Sequence, residues 1–189
     1  MARLRSPEKR NAILQATAQE IAESGLGAPI AKIAQRAGLA EGTLFTYFAN
    51  KDELLNELYF ELKNEVYQKI NAHFPHTESL QRRAWHVWAT YLDWAIEFPA
   101  KRKASMQLHI SDVITPETHA RTIAIRGAVE ATLHELEKGP ALREMPAGFA
   151  AAAMSAMQEA VMDFIAKMPK QREVLIQRSF KLLWRALGG

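Results

Sequence analysis

The sequence has no cysteine among its 189 residues, which excludes several kinds of site at once. Disulfide frameworks, thiolate zinc sites and cysteine nucleophiles all require that side chain. A long hydrophobic run is also missing: the longest nearly apolar stretch, 145–157, is well short of the roughly 20 residues of a membrane helix. The basic N-terminal residues have no apolar segment behind them, unlike a signal peptide. We therefore expect a cytoplasmic protein with no membrane partner.

The excess positive charge lies in the first quarter of the chain. The net charge is +3, and residues 1–51 contain seven basic and four acidic side chains, whereas the remaining residues balance. A cationic end on a neutral body is typical of a chain that binds a polyanion, most often nucleic acid. Charge alone leaves open a basic terminus that serves only solubility.

Eight prolines divide the chain into segments whose apolar residues recur every three or four positions. This period indicates helices, and no alternating apolar run with turn glycines predicts a strand. We expect an all-α fold of about nine helices. Ser6-Pro7 and Asn50, with Glu53 after it, are typical helix starts. Besides the helices that begin there and two short ones between them, helices are predicted at about 78–98, 100–111, 116–138, 147–168 and 170–187.

Residues 29–48 have the residue types that two short, steeply crossed helices require. Ala34 is small where the helices approach, and Gly38 lies at the turn, where a positive φ is easiest without a Cβ. Apolar side chains fill the space between the helices, namely Ile33, Ala37, Leu39, Leu44 and Phe48. The pattern predicts a helix-turn-helix, whose second helix enters the DNA major groove. A helical hairpin without a DNA role is the alternative.

The flanks of this motif resemble the tetracycline-repressor (TetR) family of bacterial transcription regulators. The resemblance spans about residues 8–60 and rests on two stretches, Gly42-Thr43-Leu44-Phe45-Thr46-Tyr47-Phe48 and Asn50-Lys51-Asp52-Glu53-Leu54-Leu55. It implies a DNA-binding domain at 1–50 with its motif at about 30–49, and a connecting helix at 51–73. It also implies that residues 74–189 bind a small molecule and dimerise.

The resemblance implies which residues contact DNA. The recognition helix is expected from Glu41 to Phe48, with groove or phosphate contacts from hydroxyl side chains, a phosphate contact at the start of the next helix, and a mobile basic arm before residue 6. Threonine and tyrosine can hydrogen-bond base edges or phosphate. The predicted set is Arg3, Arg5, Glu41, Gly42, Thr43, Thr46, Tyr47 and Lys51.

Three positions depart from the family pattern. Phe45 replaces a phosphate-binding tyrosine and lacks its hydroxyl, and Pro29 replaces a threonine that often caps the first motif helix. Glu41 puts a negative charge at the front of the recognition helix, which favours the helix dipole and opposes phosphate. Glu41 is either an acceptor for a cytosine amine or a solvated helix-start residue.

An aromatic stripe marks the predicted helix at 78–98. Small-molecule sites are mostly apolar with a few polar groups, so the stripe and the next helix predict a pocket for a small apolar or aromatic effector. Its predicted lining is Trp85, Trp88, Tyr91, Met106, His109 and Ile110. Ordinary core packing is the alternative.

The last two predicted helices are rich in small and apolar residues, which favours a four-helix interface between two chains. The predicted dimer residues are Ala156, Ala160, Phe164, Ile176, Phe180 and Leu183. An intramolecular core could absorb part of this surface.

Nothing in the sequence points to catalysis. Two pairs at helical spacing, His109 with Asp112 and Glu130 with His134, lack the pattern of a metal or catalytic motif, so we expect no catalytic residue, metal or cofactor. The predicted function is a sequence-specific, ligand-responsive regulator that binds a double-stranded DNA operator as a homodimer, a repressor released by its effector. The alternatives are an all-α enzyme or metal-binding bundle, and a nucleoid-type DNA protein without an effector.

Overall fold

The computed structural model describes residues 6–187, and over that range the chain is helical without a strand. The all-α prediction is confirmed. A 3₁₀ turn at Pro169–Gln171 precedes the last of ten helices. The helices are α1 (Pro7–Ser24), α2 (Ile30–Arg36), α3 (Glu41–Phe45), α4 (Lys51–Ala72), α5 (Leu80–Glu97), α6 (Pro99–His109), α7 (Pro116–Ala124), α8 (Ala128–Glu137), α9 (Phe149–Lys167) and α10 (Arg172–Ala186).

The chain divides into two compact units. Unit 1 is Met1–Glu65 with Phe98–Ala124, and unit 2 is Val66–Glu97 with Ile125–Gly189. The division falls inside α4. The resemblance implies a division by function at 1–50, 51–73 and 74–189, whereas packing places α6 and α7 with the N-terminal helices.

Unit 1 is built around the apolar side of α1. Ser6 caps this helix through its Oγ, which accepts a hydrogen bond from the Lys9 backbone N–H, and Pro7 occupies the first turn. Ile13 and Ile21 are buried against the neighbouring helices, of which α6 lies along α1 and buries Ala104. Between Ile13 and Ala22 only Gln15 and Gln19 are exposed, so the core of unit 1 surrounds most of this part of α1.

A row of carboxylates on α4 joins the other helices of unit 1. Glu57, Glu61 and Glu65 lie four residues apart along one side of α4, and a cation from another helix meets each of them. The ion pairs are Arg10 (α1) with Glu57 and Glu61, both at 2.8 Å, Arg121 (α7) with Glu57 at 2.7 Å, and Lys101 (α6) with Glu65 at 2.7 Å. We call this row the carboxylate ladder.

Unit 2 packs around Trp88 of α5, which has no exposed surface. Its indole Nε1–H donates to the Ile176 carbonyl at 3.1 Å, and its own carbonyl accepts from the Gln158 amide at 3.3 Å. The ring centroids of Trp85 and Trp88 lie 5.0 and 6.1 Å from the ring centroid of Phe180. This aromatic core links α5 with α9 and α10.

The predicted single helix at 116–138 is wrong, because the chain breaks between α7 and α8. Gly127 has a φ of +56°, a backbone region that other L residues rarely adopt. The Asn71 side chain from α4 satisfies the new helix start, since its Oδ1 accepts from the Ala128 backbone N–H at 3.1 Å. A glycine inside an apolar helical pattern does not by itself reveal this break.

Among the described residues, no helix has both the length and the apolar character needed to cross a bilayer.

Candidate nucleic-acid interface

The two predicted motif helices are α2 and α3, and Gly38 makes the turn between them. Gly38 has a φ of +68°. Its N–H donates to the Gln35 carbonyl at 3.0 Å, and the Leu39 N–H donates to the Ala34 carbonyl at 2.9 Å. These two bonds form a Schellman ending for α2, and the chain then turns into α3.

The core of the motif holds α3 through its inner side. Ile33, Ala34, Leu44 and Phe48 are all at most 2% exposed. Small and branched side chains on α2 therefore meet the apolar side of the α3 segment, which fixes which residues of α3 face outward.

The recognition helix is shorter than predicted. The sequence predicted Glu41–Phe48, but α3 ends at Phe45 and residues 46–47 form a turn. The Tyr47 and Phe48 N–H groups both donate to the Leu44 carbonyl, at 2.9 and 3.1 Å. The turn still directs Phe48 into the core, which explains why the apolar pattern resembled a longer helix.

Two of the three hydroxyl side chains predicted to contact DNA, those of Thr46 and Tyr47, have partners within the chain. Thr46 is exposed, and its Oγ1 donates to the Thr43 carbonyl at 2.7 Å, while Thr43 is half-buried. The Tyr47 hydroxyl accepts a hydrogen bond from the Ser6 backbone N–H at 3.0 Å. Sequence reasoning missed this last contact, because it joins residues 41 positions apart.

The outer side of α3 consists of Glu41, Gly42 and Phe45, which are all exposed. Phe45 is 45% exposed, which is unusual for a ring of that size. A Cβ added at Gly42 would meet nothing within 4 Å, so open space flanks the helix at this point.

The start of α4 is a reciprocal cap of the predicted kind. The Asn50 Oδ1 accepts from the Glu53 backbone N–H at 2.8 Å, and the Glu53 carboxylate accepts from the Ala49 N–H at 2.6 Å. Lys51 is the first residue of α4 and is half-buried. Arg3 and Arg5, predicted to form the basic arm, lie outside the described residues.

Arg36, one of the N-terminal cations, is held by carboxylates of α1. Its guanidinium contacts Glu23 at 2.5 Å and Glu20 at 2.7 Å. The hydrogen bonds that Arg36 donates to Glu23 and, second in size of effect, to Glu20 raise the pKa of Arg36 above its ordinary value. Lys9 and Lys32 are exposed instead. The positive charge of Arg36 is therefore offset by these carboxylates, and residues 1–51 attract a polyanion less strongly at this position than their net charge suggests.

The aromatic residues predicted to line a pocket have distinct surroundings in unit 2. Trp88 is buried in the core, Trp85 is half-buried against Phe180, and the half-buried Tyr91 hydroxyl donates to the Glu159 carboxylate at 2.6 Å. Trp88 thus has the surroundings of an ordinary core residue, which is the alternative to a pocket.

The other three predicted pocket residues lie at the end of α6 in unit 1. Met106 is 41% exposed and Ile110 is 81% exposed. The ring Nδ1 of His109 lies 2.9 Å from the Tyr59 hydroxyl. Their role in effector binding stays a prediction.

The predicted dimer residues fall into two groups. Ala156, Ala160 and Phe164 are exposed on α9, with Phe164 at 52%. The three on α10, Ile176, Phe180 and Leu183, are instead buried within unit 2 itself. The large exposed apolar residues of α10 are Val174 and Leu182, which lie outside the stripe that was predicted for the interface.

Within residues 6–187, no group of three or more histidine, aspartate or glutamate side chains is placed to hold a metal ion. The candidate pairs are used otherwise: His109 meets Tyr59, and Glu130 pairs with Arg126 at 2.9 Å.

The geometry up to this point defines a class: an all-helical protein with a helix-turn-helix near its N-terminus, followed by a long helix and further helical packing. Residues 13–58 match the profile of the family described as bacterial regulatory proteins, tetR family. Over these residues the resemblance to the TetR family, on which the sequence prediction rests, is confirmed.

A curated relative is similar in sequence over a short stretch, whereas solved structures are similar in fold over nearly the whole chain. The chain is 36% identical over 59 residues to the fatty acid metabolism regulator protein of Bacillus subtilis (strain 168), which is 31% of this chain and 30% of that protein. The match thus spans under a third of this curated relative.

Solved structures extend the likeness to nearly the whole fold. A TetR family transcription regulator from Marinobacter aquaeolei VT8 superposes with a TM-score of 0.84 at 23% identity, over 95% of each chain. The regulator FadR from Bacillus subtilis, solved in complex with stearoyl-CoA, superposes with a TM-score of 0.68 at 19% identity, over 95% of this chain and 98% of that one.

Proposed function

We propose that the chain is a sequence-specific DNA-binding transcriptional regulator that responds to a small-molecule ligand. The observation that carries the proposal is the helix-turn-helix inside the TetR match. There, the turn at Gly38 and the buried side of α3 leave the opposite side of α3 exposed. A second motif helix held in this way is the element that enters a major groove.

Phosphate contacts would orient this helix on the duplex. Lys51 starts α4 directly after the motif, and the free N–H groups of a helix start favour an anion. Lys9 and Lys32 add exposed positive charge in the same unit. Such contacts hold the protein on DNA of any sequence, whereas base contacts supply the discrimination.

The regulator acts as a repressor that an apolar or aromatic effector releases. An effector changes DNA affinity only if it prefers one conformation of the protein, and the coupling is then equal in both directions. The Bacillus subtilis FadR, solved in complex with stearoyl-CoA, is a precedent in the same fold for binding a molecule that carries a long apolar chain. The predicted effector site includes Trp85 and Tyr91 of α5, which are both half-buried.

Two chains pair through α9 and α10. Exposed small residues, Ala156 and Ala160, allow close helix approach, and Phe164, Val174 and Leu182 supply apolar area on the same two helices. Large exposed apolar side chains on neighbouring helices indicate a surface that another chain covers. Pairing would place two recognition helices on one operator.

The decisive experiment is selection of bound duplexes from a random-sequence DNA pool with the full-length protein. We expect a two-part motif whose halves lie about one helical turn, or a multiple of it, apart. Enrichment without any motif would support the nucleoid-type alternative and overturn sequence-specific regulation.

Lys51→Ala should weaken binding to the selected duplex and to unrelated DNA alike, and it should lower the salt slope by about one unit per subunit. The matched control is Lys170→Ala, which removes an exposed lysine of the 3₁₀ turn in unit 2 and should leave both unchanged. Thr43→Ala should instead weaken the selected duplex preferentially, about 5- to 150-fold for a good base contact. An unchanged salt slope in Lys51→Ala would contradict its placement on a phosphate.

Ala160→Glu should convert the dimer to a monomer in sedimentation at micromolar concentration, because burying an unpaired charge at a helix contact costs several kcal/mol. DNA affinity should fall with it, since two half-sites are read together. Ala131→Glu, at an exposed alanine of α8, is the control and should stay dimeric. A wild-type monomer would contradict the pairing.

A further inference from the structure

The outward side of the recognition helix is apolar at its centre. Phe45 is the only large apolar side chain exposed among the described residues that precede Met106. Gly42 lies three residues before it and has no side chain to cover the ring, with nothing within 4 Å of where a Cβ would be. The ring therefore stands free on the side of α3 that faces away from the motif core.

Of the hydroxyl groups near this ring, those of Thr46 and Tyr47 already have partners within the chain. The Thr46 hydroxyl proton is donated to the Thr43 carbonyl, and Thr43 itself is half-buried. The Tyr47 oxygen accepts from the Ser6 N–H and so lies toward the start of α1. Phe45 has no hydrogen-bonding group and cannot bind a phosphate. What this face offers at its centre is an apolar contact.

From this placement we infer that Phe45 packs against the 5-methyl group of a thymine in the major groove and makes that thymine a specificity determinant. The inference rests on the proposed DNA-binding function. The thymine methyl is the one apolar group that base edges present in the major groove, and phenylalanine is a suitable partner for it. Contact removes both the ring and the methyl group from water, which is favourable in proportion to the apolar area.

The test replaces single thymines by deoxyuridine in a duplex selected by the wild-type protein, which removes the 5-methyl and nothing else. We expect one thymine in each half-site whose replacement weakens wild-type binding about fourfold, the value for one buried methyl group, and about 15-fold when both half-sites are changed. In Phe45→Ala, thymine and deoxyuridine duplexes should bind equally, at or below the affinity of the wild type for the deoxyuridine duplex.

The variant keeps its fold, because Phe45 is exposed and α3 is held by Leu44 and Phe48; an unchanged melting temperature checks this. Ile123→Ala is the control, since it removes another exposed apolar side chain of unit 1 and should retain the full response to deoxyuridine. Selection with Phe45→Ala should lose the thymine preference at that position.

Two results would overturn the inference while leaving the proposed function intact. The first is a clear selected motif in which no thymine responds to deoxyuridine. The second is a Phe45→Ala variant that weakens binding by the same factor for thymine and deoxyuridine duplexes, because the ring would then contact the sugar-phosphate backbone. Absence of any selected motif would instead overturn the proposed function itself.

Discussion

Replacing Trp88 distinguishes a core tryptophan from one that lines an effector pocket. In unit 2 the ring is completely buried, its Nε1–H bonds the Ile176 carbonyl, and it lies 6.1 Å from the Phe180 ring. Removing a core tryptophan to alanine costs about 3–5 kcal/mol from lost burial and the cavity left behind. The indole hydrogen bond contributes about 1 kcal/mol to the same total.

A loss of about 4 kcal/mol lowers the melting temperature of a chain of this size by about 8–16 °C. We expect that shift for Trp88→Ala in thermal melts followed by circular dichroism at 222 nm, with urea titration giving the free energy of unfolding. Trp88→Phe keeps most of the ring but loses the N–H donor, so it should lose about 1–2 kcal/mol. Trp85→Ala, at a half-buried position, should cost less than half as much as Trp88→Ala.

The reasoning is refuted if Trp88→Ala melts within about 2 °C of the wild type, since that shift corresponds to no more than about 1 kcal/mol. If such a variant also loses the quenching of tryptophan fluorescence by an apolar ligand, Trp88 lines a pocket instead. A large loss of stability with an intact ligand response identifies it as core.

Two further predictions concern backbone and charge. Gly127→Ala should lose about 2 kcal/mol of unfolding free energy in urea titration, because its φ is positive and a Cβ would lie 3.0 Å from the Asn71 amide; the control Gly27→Ala, with nothing within 4 Å, should change stability by less than about 1 kcal/mol. The Ser6 hydroxyl, and then Glu8's own backbone N–H, lower the pKa of Glu8. A carboxylate with a lowered pKa stabilises the fold above its unfolded pKa and loses that effect as pH falls through the folded value. Ser6→Ala should therefore raise the pKa of Glu8 toward 4.5 in an NMR titration, and an unchanged value would assign the effect to the backbone.

Local signals were sufficient to predict much of unit 1. Ser6 and Pro7 start α1, Gly38 makes the motif turn, and Asn50 with Glu53 starts α4, each by a bond within a few residues. Helix starts and turns of this kind can be predicted from sequence, because the donor, the acceptor and the residue that adopts the required φ all lie in one short stretch.

Features that depend on distant residues could not be predicted in this way. The break before α8 uses Asn71, and the orientation of Tyr47 uses Ser6, and neither partner is near in sequence. The stripe on α10 was apolar in the sequence, but which of its residues face the core depends on how α10 packs on α5 and α9. Leu182 and Leu183 are neighbours with opposite outcomes, 60% and 2% exposed.

The carboxylate ladder has a consequence for the register of α4. A carboxylate recurs every fourth residue, a rise of about 6 Å, so sliding α4 along its axis by that distance would put Glu61 where Glu57 now faces Arg10. The buried leucines recur at the same spacing, so Leu62 would take the place of Leu58 and these side chains do not oppose the slide. The slide would, however, put Lys69 where Glu65 now faces Lys101, and two lysines repel each other. In unit 1 the change of sign at the end of the carboxylate ladder therefore sets the alignment of α4 against a slide in this direction.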